Sequence, residues 1–282
     1  MTKRVLIHAD DLGMCHGANT AFRELTAFGF LDGGSIMVPC PWFKEIATMA
    51  LENEAYDVGI HLTLNSEKEF YKWGPLTRAS KASGLVDDDG FLWKTVAELR
   101  EHCHPEAAEA EMRAQIDAAL SLGIDVTHAD AHMFAALSPE YVAAYLRIAQ
   151  DYRIPVMLAE QGPSIARHLA GSDDGPYRAA LDDARGAGFE VFDLLLETVW
   201  QPEDTAWATN QRILEQAAEG LTYFALHPNA PGELEHIEPD TAHVRIGEYD
   251  TFRDHEFLSW LDTLSYERIT WRAMRTALRE KI

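Results

Sequence analysis

Short runs of strand-forming residues alternate with longer helical patterns along most of the chain, and this alternation constrains the fold more than any other feature. The runs are largely apolar, as is typical of parallel strands buried on both faces. Eight strands in βα order favour an α/β fold of the TIM-like (β/α)-barrel type, complete or distorted, with a doubly wound open sheet as the alternative. The eight runs are RVLIHA, GSIMVP, DVGIHLTL, IDVTHADAH, IPVMLAE, EVFDLLLE, LTYFALHP and ERITWR.

Helical patterns occupy intervals between these runs. Three of them place apolar residues at helical spacing and then reach a glycine: Gly29, Gly123 and Gly220. Glycine adopts the left-handed conformation that commonly ends a helix. We therefore predict that a helix ends at each of these three glycines.

The length of the chain fits one (β/α) barrel. Of its 282 residues, 47% are hydrophobic, which is enough to fill a sizeable core. We predict one barrel domain over residues 1–282, with a long loop insertion at 65–105. That insertion lacks periodicity but contains Trp73, Phe91 and Trp93. Long loops after barrel strands commonly form lids or substrate walls, so we expect this role here.

The charge and the cysteines limit the partners and the compartment. Lysine and arginine number 24 against 46 acidic residues, a formal charge of −22 that repels nucleic acids and anionic membranes. Cys15, Cys40 and Cys103 are widely spaced and form no CxxC pair, which fits a reducing cytoplasm. No apolar stretch has the length of a signal-peptide core or a membrane span. We expect a cytoplasmic, soluble protein without nucleic-acid or membrane partners.

Polar side chains occur at the ends of four predicted strands. In a parallel barrel the C-terminal strand ends meet on one face, where side chains from separate strands converge. This pattern is more informative than any single histidine, each of which is about as compatible with packing as with metal binding. The residues are Asp10, Asp11, His61, His128, Asp130, His132 and His227.

The sequence HADAH places three polar residues on one face of a strand, because positions i, i+2 and i+4 share a face. His128 and His132 would be about 13 Å apart in a regular strand, too far to share one ion. One of them is therefore a ligand, and we expect the other, His132, to lie at the rim or behind a ligand. Asp130 is placed to accept a hydrogen bond and orient an imidazole.

An aspartate pair beside histidines indicates a metal site. One carboxylate and two neutral imidazoles form a site with open positions for water and substrate. The cation would stabilise the crowded pair Asp10 and Asp11, and the carboxylate that does not bind it would act as a base.

Four sequences, HADDLG, GIHLTL, THADAH and LHP, occur in this order, with SGLVDDDGFL between the second and the third. Together they resemble the YdjC-like family of carbohydrate deacetylases, which includes diacetylchitooligosaccharide deacetylases. The resemblance extends roughly over residues 3–260. It implies a barrel hydrolase, related to polysaccharide deacetylases, that removes the N-acetyl group from an acetylated amino sugar or short oligosaccharide with one divalent metal ion.

The resemblance also implies roles for individual residues. Carried over by motif, the metal ligands would be Asp11, His61 and His128, with Asp10 as the base and His227 as the acid. The family is often described with Mg²⁺, whereas two imidazoles and one carboxylate suit Zn²⁺, Co²⁺, Ni²⁺ or Fe²⁺ better. The partner implied is a small acetylated sugar; the identity of the metal and a homodimeric assembly stay open.

Two other functions remain open at this stage. The first is a non-catalytic sugar- or metal-binding barrel, against which the presence of both Asp10 and His227 argues. The second is another metal-dependent barrel hydrolase, for example one acting on cyclic amides. In addition, Met133 and Phe134 follow His132 where the family often has more histidines, a difference that affects the sugar subsite more than the reaction.

Overall fold

The computed structural model describes residues 2–281, in which parallel strands form a curled sheet surrounded by helices. Each of the eight predicted runs overlaps a strand, which confirms the predicted βα order. Within these residues the strands are β1 (Lys3–Leu12), β2 (Gly33–Ile36), β3 (Val58–Leu62), β4 (Ala129–Ala131), β5 (Ala159–Gln161), β6 (Phe192–Glu197), β7 (Gly220–Leu226) and β8 (Glu267–Arg268). The α-helices are α1 (His16–Phe28), α2 (Phe43–Glu52), α3 (Val96–His102), α4 (Pro105–Ser121), α5 (Val142–Tyr152), α6 (Pro163–Leu169), α7 (Gly175–Gly186), α8 (Ala206–Glu215), α9 (Leu234–Ile237), α10 (Ala242–Phe252), α11 (His255–Asp262) and α12 (Trp271–Lys281).

The sheet is a distorted TIM-like barrel and not the open alternative. Its strand order is β4-β3-β2-β1-β7-β6-β5, and the short β8 pairs with the start of β1. Beyond β4, the backbone N–H of Ala129 donates to Pro155 O at 3.0 Å, and that of Met157 donates to Ala129 O at 3.1 Å. These bonds join β4 to the segment that leads into β5 and so close the ring.

Apolar side chains fill both sides of the strands. Val5, Leu6 and Ile7 are consecutive residues of β1, and all three are fully buried. A strand buried on both faces reads as a continuous apolar run, as the sequence predicts. None of the helices in residues 2–281 is long and apolar enough to cross a membrane.

Two of the three predicted glycine helix ends are confirmed. Gly29 ends α1 in the left-handed conformation with φ 87°, and Gly123 follows α4 with φ 92°. The third prediction is wrong, because α8 ends at Glu215 and Gly220 is the first residue of β7. Gly220 has φ 104°, and a Cβ there would lie 2.2 Å from the carboxylate of Asp193. The positive φ of Gly220 therefore belongs to the start of β7 and not to the end of a helix.

The segment between β3 and α4 contains the predicted insertion at 65–105 and is mostly irregular. It includes a short 3-10 helix at Lys81–Ser83 and the helix α3, which Thr95 caps. Trp73 is only 3% exposed, and its Nε1–H donates to Asn65 O at 2.9 Å. The insertion is thus held by packing and by internal hydrogen bonds.

Candidate metal centre and active site

A bulge in β1 turns the two adjacent aspartates toward one cavity. Ala9 pairs with Gly34 and Leu12 with Ile36, so β1 has one more residue than β2 between these pairs. Asp11 has φ 64°, a conformation that aspartate tolerates better than most residues. Neighbouring side chains of a regular strand point to opposite faces, whereas here both carboxylates line the same cavity. The bulge therefore brings the carboxylates of Asp10 and Asp11 to the same cavity, as the predicted metal site requires.

Asp11, His61 and His132 form a buried triangle of candidate metal ligands. Asp11 Oδ1 lies 3.3 Å from His61 Nε2 and 3.2 Å from His132 Nδ1, and the three side chains are almost fully buried. Ligand atoms about 2.0–2.1 Å from a tetrahedral ion lie about 3.3–3.4 Å from one another. The three atoms meet the spacing of a metal site. Donor chemistry and distances both fit one divalent ion.

Each candidate ligand has a charged partner behind it. Asp130 Oδ1 accepts from His61 Nδ1 at 2.9 Å, and Glu67 Oε2 lies 2.9 Å from His132 Nε2. The guanidinium of Arg245 donates to Asp11 Oδ2 at 2.7 Å. Carboxylates that bind the outer nitrogen of an imidazole fix its orientation and leave the other nitrogen for a metal. The arrangement therefore presents one atom of each ligand to a common point.

The two aspartates differ in their electrostatic environment. Burial raises the pKa of Asp10 well above its usual range. Burial acts on Asp11 in the same sense, but the Arg245 guanidinium and the His132 and His61 rings outweigh it and hold the pKa of Asp11 well below its usual range. One carboxylate is thus held as an anion, as a ligand must be, and the other favours taking up a proton.

The structure does not group His128 with Asp11 and His61, and in this it differs from the predicted ligand set. Among the described residues, the ring of His128 groups with His8 and Asp130 and stacks on Trp271, with centroids 4.2 Å apart. It lies one residue before β4, deeper in the barrel, whereas His132 directly follows β4. The spacing argument that the two histidines cannot share one ion is consistent with this, but the prediction put His132 at the rim, whereas the structure places it beside Asp11 and His61.

The backbone after His132 explains its position. Met133 and Phe134 have φ values of 48° and 57°, so two successive residues adopt the left-handed conformation. Non-glycine residues adopt this conformation rarely, and at a cost. The chain turns at this point instead of continuing as a strand, and it brings His132 over the strand ends beside Asp11 and His61.

His227 faces Asp10 across the cavity. Its Nε2 lies 3.7 Å from Asp10 Oδ2, its Nδ1 lies 2.8 Å from Thr198 Oγ1, and its backbone N–H donates to Glu248 Oε2 at 2.8 Å. Burial lowers the pKa of His227 well below its usual range. The ring is therefore held in one orientation, with Nε2 directed at the carboxylate that favours a proton.

The cavity above these groups has a volume of about 320 Å³. Its aromatic wall comes from Trp200 and Phe134, and the insertion at 65–105 contributes Glu67 and Lys68 to the lining. The aromatic residues that we singled out in the insertion, Trp73, Phe91 and Trp93, do not line this cavity. The lining residues are Asp10, Asp11, His61, Glu67, Lys68, Ala131, His132, Met133, Phe134, Glu197, Trp200, His227, Glu238, Thr241 and Arg245.

Comparisons with known proteins agree with this architecture. Residues 4–263 match the family model described as YdjC-like protein. A carbohydrate deacetylase of Thermus thermophilus is 36% identical over 159 residues, 56% of this chain, and the match spans only about half of that relative, 54%. Carbohydrate deacetylase 1 of Listeria innocua is 26% identical over 95% of this chain and 99% of its own length. A crystal structure from Enterococcus faecalis V583, of a protein proposed to cleave cellobiose-phosphate, shares the fold with a TM-score of 0.77 at 18% identity, covering 97% of this chain and 99% of its own.

Proposed function

Because this chain belongs to the YdjC-like protein family, we propose that it is a metal-dependent hydrolase that removes the N-acetyl group from an acetylated amino sugar or short oligosaccharide and releases acetate. The observation that carries the proposal is the convergence of the Asp11–His61–His132 triangle, Asp10 and His227 on one cavity. Relatives named carbohydrate deacetylase support the class of reaction and of substrate.

Asp11, His61 and His132 would hold the metal ion. Two imidazoles and one carboxylate suit Zn²⁺, Co²⁺, Ni²⁺ or Fe²⁺ better than Mg²⁺, which prefers oxygen ligands. When bound, such an ion polarises a carbonyl group and lowers the pKa of a coordinated water. Asp130 and Glu67 keep the two rings in place by binding the nitrogens that face away from the ion.

Asp10 and His227 would move the protons of the reaction. Asp10 lies beside the ligand triangle without belonging to it, so its carboxylate is free to take a proton from the attacking water. Burial lowers the pKa of His227 and keeps its ring neutral, so His227 would receive this proton from Asp10, whose Oδ2 lies 3.7 Å from its Nε2, and pass it to the departing amine nitrogen. Thr198 and Glu248 hold His227 at this place through its Nδ1 and its backbone N–H.

The test is to load the purified protein in turn with Zn²⁺, Co²⁺, Ni²⁺ and Mg²⁺, incubate it with N-acetylglucosamine and its short oligomers, and measure free acetate. We expect acetate release that depends on the added metal and stops when a chelator removes it. Substrate binding without acetate release under all four metals would instead indicate a sugar-binding protein and contradict the proposal.

Replacing His227 with alanine should slow amide hydrolysis by about 10²-fold or more, because an amine departs poorly without a proton donor. Acetyl esters should be affected less, since an alkoxide-like group leaves with less help. The measurement compares kcat for an N-acetylated sugar and for an acetyl ester of similar size, at equal metal content. Equal losses on both substrates would assign His227 another role.

Replacing Trp200 with alanine should raise KM for an N-acetylated sugar about tenfold, because an aromatic face that covers a sugar ring contributes roughly 1–2 kcal/mol. Trp200 also contacts His227, with centroids 4.7 Å apart, and the Arg245 guanidinium, 4.9 Å from its ring centroid. Trp200→Phe is the control, because it keeps an aromatic face beside both groups. If the phenylalanine and alanine variants show the same KM, Trp200 does not contact the sugar.

A further inference from the structure

A chain of hydrogen bonds runs from the barrel interior to the metal centre, and it begins at Trp271. The indole Nε1–H of Trp271 donates to His8 Nδ1 at 3.1 Å, and both side chains are fully buried. An indole N–H is a donor only, so Nδ1 of His8 must be the acceptor. Burial lowers the pKa of His8, which favours the neutral ring. The single ring hydrogen of His8 is therefore on Nε2.

The Nε2–H of His8 reaches Asp130 through Ser35, because it donates to Ser35 Oγ. Its nearest oxygen atoms are Ser35 Oγ at 3.1 Å and Asp130 Oδ2 at 3.2 Å. Asp130 Oδ2 accepts from Ser35 Oγ at 2.8 Å and from the hydroxyl of Tyr223 at 3.0 Å. Two hydroxyl groups thus donate to one oxygen of this carboxylate, and the other oxygen, Oδ1, faces His61 Nδ1 at 2.9 Å.

We propose that Trp271 and His8 are positioning residues of the metal centre: the indole N–H fixes the tautomer of His8, and the Nε2–H of His8, through Ser35 Oγ, holds Asp130 where it binds Nδ1–H of His61. The lone pair of His61 Nε2 is then directed at Asp11 and the cavity. This inference rests on the metal binding of the proposed function and not on deacetylation. It extends the residues that support the metal ligands into the barrel interior, as far as Trp271, which is 263 positions from His8 in the sequence.

The same argument bears on a second group of buried residues. Ligand atoms of His8, His128 and Asp130 also meet the spacing of a metal site. Both nitrogens of His8 are engaged, however, one as the acceptor of Trp271 and the other as a donor to Ser35 Oγ, so His8 offers no lone pair to an ion. The chain should therefore bind one ion and not two.

The experiment compares His8→Gln with His8→Leu. Glutamine can place an N–H donor near the position of His8 Nε2, whereas leucine fills a similar volume without a donor. Affinity for Co²⁺ or Zn²⁺ is measured by competition with a chelating dye, without substrate. We expect His8→Leu to weaken binding about 10- to 100-fold, as is typical for partners behind a ligand, and His8→Gln to stay within about threefold of wild type. Wild-type affinity in His8→Leu, or equal losses in both variants, would overturn the proposal.

A second measurement tests the role of Trp271 through the tautomer of His8. In ¹⁵N-histidine-labelled, metal-free wild type, we expect the ring hydrogen of His8 on Nε2, with His8→Gln identifying its signal. Trp271→Phe keeps an aromatic ring against His128 but lacks the donor, so the preference for this tautomer should weaken. A wild-type His8 with its hydrogen on Nδ1 would overturn the proposal. A wild type that binds one metal ion but releases no acetate would contradict only the proposed function.

Discussion

Replacing Asp10 with asparagine is expected to lower kcat for acetate release by about 10²- to 10⁴-fold while the protein keeps about one metal ion per chain, because a positioned proton acceptor contributes about this much to catalysis. Asp10 is outside the Asp11–His61–His132 triangle and faces His227. Burial raises the pKa of Asp10, as suits a group that accepts a proton during the reaction. The measurements are elemental analysis of the purified variant and its rate of acetate release.

Asp11→Asn is the matched control, because the backbone of Asp11 has φ 64° and asparagine adopts this conformation readily. The variant should keep the bulge and lose the anionic ligand, so metal binding should fall with activity. Asp10 also lies within ligand distance of His61 and Asp130. If Asp10→Asn loses the metal and Asp11→Asn retains it, the roles of the two aspartates are reversed.

The sequence predicts the barrel and the place of the site because both depend on local patterns. Short apolar runs identify β1 to β8, and parallel strands bring their C-terminal ends to one face. Asp10, His61 and His227 therefore meet, although the sequence separates Asp10 from His227 by more than 200 residues. No tertiary information is needed for this step, since the topology alone places the strand ends together.

That His132 and not His128 lies beside Asp11 and His61 could not be predicted in this way. It depends on left-handed conformations at Met133 and Phe134, for which the sequence contains no glycine signal. The bulge at Asp11 could not be predicted either, since the sequence does not distinguish an aspartate with a positive φ from any other aspartate. The surrounding fold offsets the free-energy cost of such strained backbone conformations, which are common at functional sites.

Other site residues were missed because they come from distant elements without a local pattern. Arg245 lies on α10, 234 positions from Asp11, and nothing in the helix sequence marks it. Glu67 follows β3 closely, and its position after the GIHLTL strand was the only available signal. Trp200 lies in a loop after β6, whereas the aromatic residues predicted from the insertion, Trp73, Phe91 and Trp93, do not line the cavity.

Two identical substitutions, His132→Phe and His128→Phe, distinguish most clearly which of the two histidines is a metal ligand. We expect His132→Phe to weaken metal binding on the order of 10³-fold or more, since partners behind a ligand alone are worth about 10- to 100-fold. His132 Nδ1 lies 3.2 Å from Asp11 Oδ1, and phenylalanine has no donor atom to replace it. Metal content and affinity are measured for both variants, with circular dichroism to confirm that each is folded.

His128→Phe should retain the metal, because His128 lies beside Trp271 and away from Asp11. Among residues 2–281, its buried Nε2 has no hydrogen-bond partner, so an apolar ring loses only the contact of Nδ1 with Thr127 Oγ1. Phenylalanine also preserves the stack on Trp271, which limits the expected loss of unfolding free energy to about 1–2 kcal/mol. The opposite result would be a folded His128→Phe protein without metal and a His132→Phe protein with metal. It would make His128 the ligand, and β4 would then have to present its residues to the cavity in a different way.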